Sequence, residues 1–543
     1  MNQSYTVAAV TVVVLATVLV GGFGLRISRT TSDFYVASRT VRPALNAAAI
    51  SGEYLSAASF LGVAGLVLLH GPDMLWYPVG YTAGYLVLLL FVAAPLRRSG
   101  AYTLPDFAEG RLESRAVRRL VSVFVVGAGW LYLVPQLQGA GLTLKILTGA
   151  PDWFGGVLVA LVVVVAVAAG GMRSITFVQA FQYWLKLTAL LVPALFLLLA
   201  WQGDGRPRVD LDLTAAVVGR ADHPLYATYG LIVATFLGTM GLPHVVVRFY
   251  TSPNGRAARR TTVIVLALVG AFYLLPPVYG ALGRLYVPEL PYGTEADAAV
   301  LLLPERAISG LGGDLLGALV AGGAFAAFLS TASGLTMAVA GVLTQDVLPS
   351  RGVRHFRLAT PLAMAVPLGG SLLVSGMPVA DSVGMAFAVS ASSFCPLLVL
   401  GIWWRRLTPP GAIAGLLLGG GLAFAATVIT VSGSVRSGWP HALLAWPAVW
   451  SVPVGFLAMI LVSLATRGRI PSGTNAAMTR FHLPEVLMSG SRDGGASASP
   501  SASPSASPDA TGGGTVTGNG TGDVTGNGAG NVTENVTGTG GAG

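Results

Sequence analysis

The chain has 543 residues, 53% of them hydrophobic and only 10% charged, with a mean hydropathy of +0.70. Soluble domains carry about 25% charged residues, so these values describe a polytopic membrane protein and exclude a soluble globular fold. The net charge of +9 comes from arginines in short segments between apolar runs, with only two lysines and no dense basic tract, which excludes a nucleic-acid partner.

A membrane-crossing helix takes ~20 mainly apolar residues. Thirteen such spans can be read, at roughly 5–25, 43–69, 74–96, 120–147, 153–171, 177–201, 226–247, 262–286, 313–344, 359–376, 379–404, 410–432 and 442–465. The first has no Lys or Arg before it and so lacks the basic start of a cleavable signal peptide. It is expected to be retained, with the N-terminus outside. That orientation puts 24 of the 30 arginines in cytoplasmic segments, as the positive-inside rule requires of a plasma-membrane protein.

The second span, LNAAAISGEYLSAASFLGVAG at 45–65, carries Ser51, Gly52, Glu53, Tyr54, Ser56 and Ser59 at its centre. A carboxylate at bilayer depth costs about 2.5–3.5 kcal/mol on insertion scales and normally faces protein or a wet cavity. Gly52 lets the backbone open beside it, and opened backbone is tolerated in lipid only where it lines such a cavity. A broken helix with a buried acid therefore points to a transport site. A kinked helix whose small residues admit close neighbours is the competing reading.

In the fourth span Gln136 follows Pro135 and is a candidate for a polar lining. In the sixth, Gln179, Gln182 and Lys186 fall at i, i+3 and i+7 and form one polar stripe. Lys186 lies about ten residues inside the boundary, too deep to snorkel, and should meet a cavity or an acid. The seventh span is interrupted at Gly238-Thr239-Met240-Gly241-Leu242-Pro243. Arg248 at its cytoplasmic end is expected to anchor a loop, and a lone His244 is no metal site. The breaks lie five spans apart, an odd offset that gives two five-span units opposite orientations. Paired broken helices in inverted repeats point to a midplane transport site. In the ninth span Ala327, Ser330 and Thr331 share one helical face and offer hard oxygen ligands without net charge, which suits a weakly held monovalent cation.

The single cysteine, Cys395, excludes an internal disulfide and any multi-cysteine metal site. No nucleophile–base pair, HExxH or phosphate-binding loop is present, so no catalytic residue is assigned and no enzyme is expected. Asp106 and Glu109 read as solvated acids of a cytoplasmic loop. After about residue 470 the composition turns to Ser-Ala-Ser-Pro repeats and then Gly, Thr, Asn and Val, so 471–543 is expected to be a disordered cytoplasmic tail.

The stretches SDFYVASR at 32–39, LNAAAISGEYLSAASFLG at 45–62, YTLPDFAEGRL at 102–112, PQLQGAGL at 135–142, GGMRSITFVQAFQYWLK at 170–186, GTMGLPHVVVRFYTSPNGRAARR at 238–260 and AAFLSTASGLTMAVAG at 326–341 resemble the sodium:solute symporter family. The likeness is greatest to its cation/acetate, or monocarboxylate, branch. It implies an all-α fold of thirteen spans with a five-plus-five inverted repeat of the leucine-transporter type. The expected divisions are 1–42 (first span and loop), 43–404 (transport core), 405–470 (two further spans) and the tail. The resemblance further implies a sodium site made by the carbonyls of Gly52 and Leu55, the carbonyl of Ala327 and the hydroxyls of Ser330 and Thr331. The branch usually has Asp where this chain has Glu53.

Together these features lead to the expectation of symport of Na⁺, or alternatively H⁺, with a small monocarboxylate such as acetate. Candidates for the solute or coupling site are Glu53, Tyr54, Ser56, Gln136, Gln179, Gln182, Lys186, Gly238, Thr239 and Gly241. The alternatives are another solute (pyruvate, propionate, an amino acid or a sugar), a membrane sensor built on the same bundle, and a passive channel.

Overall fold

The computed structural model describes residues 3–27, 34, 36–209, 223–290, 294–347, 352–373, 379–435 and 437–485. Among these residues all regular structure is helical. Ten of the described helices are long and apolar enough to cross a membrane, or up to eleven when a bent pair is counted as one span, against the thirteen expected. Asp152–Gly203 runs 52 residues, about 78 Å at 1.5 Å per residue, against a hydrocarbon core of ~30 Å. It is interrupted at Gly171, whose φ of 58° and ψ of −167° no helix holds. A Cβ there would lie 2.7 Å from the Phe34 ring, so only glycine fits. The fifth and sixth spans are the two sides of that break.

The second span is also broken. Pro43–Tyr54 begins on a proline in its first turn, where the missing N–H costs nothing. It ends where Leu55 turns to ψ 86°. A wide π turn, Ala58–Gly62, then leads into Val63–His70. Such π segments are frequent at functional sites because they leave backbone groups out of the regular ladder. The seventh span divides into Pro224–Gly241 and Pro243–Phe249, bent by 41° at Leu242. Pro243 supplies the break, since it cannot donate to the preceding turn.

These two broken helices pack among longer ones. Leu311–Val342, the ninth span, is buried along almost its whole length and packs on Asp152–Gly203. Val379–Trp403, the eleventh, packs against Pro224–Gly241. Gly238 and Gly241 face it so closely that a Cβ would lie 2.5 Å from the Phe387 carbonyl oxygen and 2.7 Å from that of Ser390.

Two features in segments expected to be cytoplasmic differ from expectation. Asp106 and Glu109 are not simply solvated: Arg118 reaches Asp106 at 2.8 Å, Glu109 at 2.5 Å and Asp346 at 2.5 Å. Within 471–543, expected to be disordered, Thr474–His482 is a helix with Ala477, Met478 and Phe481 buried. Its hydrophobic face meets Phe107. The periodicity is present in TNAAMTRFH, but it lies beside a low-complexity repeat that dominates the composition. Residues 486–543 lie outside the described residues.

Candidate functional site

The break in the second span is the centre of a buried polar cluster. Lys186, from the sixth span, lies fully buried beneath it and donates to the carbonyls of Gly52 and Leu55, the latter at 2.7 Å, and to Ser330 Oγ at 2.9 Å. Ser330 in turn donates to the Ala327 carbonyl at 3.1 Å, and Thr331 donates to the Glu53 carbonyl at 2.6 Å. The five residues expected to form a cation site are therefore adjacent, and three of their oxygens are bonded to Lys186.

The close approach has a steric basis. A Cβ on Gly52 would lie 2.2 Å from the Gln179 carbonyl oxygen. Glycine thus lets the second and sixth spans touch, and a four-carbon stem one to two turns along reaches the break.

Glu53 does not bond Lys186. Its Oε2 accepts from Arg248 Nε at 2.6 Å, with both side chains buried. Arg248 also donates to Thr176 Oγ1 at 2.8 Å and to Gln179 Oε1. Gln179 Nε2 donates to the Ser330 carbonyl at 2.8 Å. The expectation that Arg248 anchors a loop is therefore corrected. The short Pro243–Phe249 helix turns inward after the Leu242 bend and delivers the guanidinium to the acid. A buried pair of this kind persists where further hydrogen bonds satisfy both ions, as Thr176 and Gln179 do here. Gly334 leaves the room, since a Cβ would lie 1.9 Å from Glu53 Oε1.

The other sequence candidates divide. Gln136 accepts from the Ala57 N–H at 3.0 Å and so caps the restart of the second span. Tyr54 shares a 2.7 Å hydrogen bond with Thr239 and donates to the Tyr81 carbonyl, joining the two broken helices. Gln182 faces away from the break and donates to Thr17 in the first span at 3.0 Å. Gly238 and Gly241 act in packing against the eleventh span.

Beside Tyr54 lies an aromatic cluster that the sequence reading missed. Tyr54 meets Tyr85 at 4.8 Å and Tyr81 at 6.0 Å between ring centroids, Tyr81 meets Phe387 at 4.9 Å, and Tyr132 meets both Phe387 and His244. Ser56 is buried beside Tyr132, and near them the Tyr81 and Tyr85 hydroxyls, both His244 ring nitrogens and Ser390 Oγ are buried without a hydrogen-bond partner among the described residues. Buried polar atoms are nearly always paired, so this concentration sets the cluster apart from the surrounding core. A signal was available: Tyr77, Tyr81 and Tyr85 recur every four residues on one face of the third span.

Comparison with known proteins agrees with this architecture. A profile of the sodium:solute symporter family matches residues 34–419. The "Uncharacterized symporter YwcA" of Bacillus subtilis is 31% identical over 468 residues, spanning 81% of this chain and 90% of its own. The "Monocarboxylic acid transporter" of Corynebacterium glutamicum is 29% identical over 499 residues, spanning 80% and 87%. Solved transporters share the leucine-transporter-type fold. A Na⁺-coupled sialic acid symporter aligns over 85% of this chain and 98% of its own with a TM-score of 0.64, at 14% identity. The chain is thus a multi-pass membrane transporter rather than an enzyme, and it belongs to the sodium:solute symporter family.

Proposed function

We propose that this protein takes up a small, acetate-like monocarboxylate by symport with a monovalent cation, through alternating access about the breaks in the second and seventh spans. The observation that carries the reading is the set of unpartnered polar groups on Tyr81, Tyr85, His244 and Ser390, near the ring cluster of Tyr54, Tyr81, Tyr85, Tyr132 and Phe387. Such a set offers hydroxyl donors to a carboxylate and apolar ring faces to a short carbon chain. The acid at the break does not oppose the same reading: Glu53 is paired with Arg248 and so does not meet an incoming carboxylate as a bare charge.

The monocarboxylic acid transporter among the relatives supports the solute class, and the Na⁺-coupled neighbour together with the family supports sodium as the driving ion. Purified protein in proteoliposomes should accumulate labelled acetate under an inward sodium gradient. Unlabelled propionate or pyruvate should compete, while a sugar or a neutral amino acid should not. Equilibration without accumulation would instead describe a passive channel, and competition by the sugar alone would exchange the solute class.

A further inference from the structure

The cluster at the junction of the second and ninth spans can be counted donor by donor. A lysine ammonium has three N–H donors and no acceptor. Three acceptors face it: the carbonyls of Gly52 and Leu55 and the hydroxyl oxygen of Ser330. All are neutral, and their number equals the number of donors. The remaining oxygens of the expected sodium site are already committed. The Ala327 carbonyl takes the Ser330 hydroxyl proton, and the Thr331 hydroxyl points its proton at the Glu53 carbonyl. The one nearby carboxylate, Glu53, is engaged by Arg248. Neutral carbonyls and hydroxyls around a single positive charge are the kind of shell that a desolvated monovalent cation takes. Here a charge covalently attached to the sixth span fills it.

We propose that this junction is a tethered-cation site, in which the Lys186 side-chain nitrogen takes the position that these donors would otherwise give a sodium ion, so that any sodium driving uptake binds elsewhere. The inference deepens the transport reading above and assigns the donors to Lys186 instead of to the transported ion. Sodium and Lys186 exclude one another there, since both would need the Gly52, Leu55 and Ser330 oxygens and like charges would sit within a few ångströms. The lysine also ties three elements together: its own helix, the broken second span and the ninth span.

The test is direct binding of radioactive ²²Na⁺ to the purified full-length chain, in the wild type, S330A, K186A and K186M, with and without S330A in the lysine variants. Labelled-acetate uptake is measured in parallel. Wild-type sodium binding should be the same with and without Ser330. K186A should gain saturable sodium binding, and S330A in that background should weaken it about tenfold or more. K186M, which keeps much of the side-chain volume, serves if the alanine variant does not fold. The proposal is overturned if S330A weakens sodium binding in the wild type, or if neither lysine variant gains a Ser330-dependent sodium site. Failure of acetate uptake in the wild type would instead count against the solute reading, and the sodium-binding comparison would still decide the role of Lys186.

Discussion

Glu53 and Arg248 form an ion pair in the interior, 2.6 Å apart and almost fully buried. Removing one partner of such a pair leaves an uncompensated charge and typically costs about 3–5 kcal/mol. Glu53→Gln should therefore lower the thermal stability and membrane abundance of the protein, by an amount in that range, before any effect on ion affinity is read. Replacing both partners by methionine should return most of the abundance, since a packed apolar pair avoids the cost, while transport stays lost. Equal abundance of Glu53→Gln and wild type would show that the pair is hydrated and not a buried anchor. Gly334 belongs to the same argument. A methyl group there would press within 1.9 Å of Glu53 Oε1, so Gly334→Ala should drive the carboxylate from Arg248 and reduce abundance. Aspartate is shorter by one methylene, so Glu53→Asp in the same chain should recover part of the loss. No recovery would mean that the added methyl group is obstructed by backbone and not by the acid.

The breaks in the second and seventh spans were legible because they are written in glycine, proline and polar residues inside apolar runs, at Gly52–Ser56 and Gly238–Pro243. The polar stripe of Gln179 and Lys186 was legible for the same reason, by its helical spacing. Partnership was not. Arg248 lies 195 residues from Glu53, and no periodicity reports a contact between elements that far apart. Lys186 was expected to meet a cavity or an acid, yet its nitrogen meets the carbonyls of the break. Gln182, one turn before it, faces the first span. The helix Thr474–His482 was obscured in another way, by the repeat that follows it. Arg111, which burial pushes down to about 10, donates to the Gly401 and Trp404 carbonyls and to Thr474 Oγ1. It thereby satisfies the carbonyl end of the eleventh span and holds the terminal helix. Glu485 accepts from the Gly255 N–H at 2.8 Å. Ending the chain after residue 490 should leave uptake and thermal stability unchanged. Ending it after residue 470 removes those contacts and should lower the midpoint of thermal unfolding by several degrees. Identical melting of the two truncations would reduce the terminal helix to a passive appendage.

Across the whole molecule, the proposed cargo is one monocarboxylate with one monovalent cation. A dicarboxylate would bring one more negative charge into a low-dielectric interior than that cation offsets, and an uncharged amide would leave the cation's charge unmatched, so both should compete poorly with acetate. Lys186, Glu53 and Arg248 stay with the protein, so the charge that crosses in a cycle is that of the transported species alone. If one monovalent cation enters with each monocarboxylate, the net charge moved is zero. The membrane potential contributes about 2.3 kcal/mol per charge per 100 mV, and ~1.4 kcal/mol corresponds to a tenfold change in an equilibrium. One uncompensated charge would therefore change the steady accumulation ratio by roughly 50-fold at 100 mV. Proteoliposomes clamped with potassium and valinomycin at zero and at 100 mV, inside negative, should reach the same acetate accumulation under a fixed cation gradient. A ratio that rises by tens of fold at the negative potential would establish a second cation per cycle, and one that falls by a similar factor would mean that the carboxylate crosses without a cation.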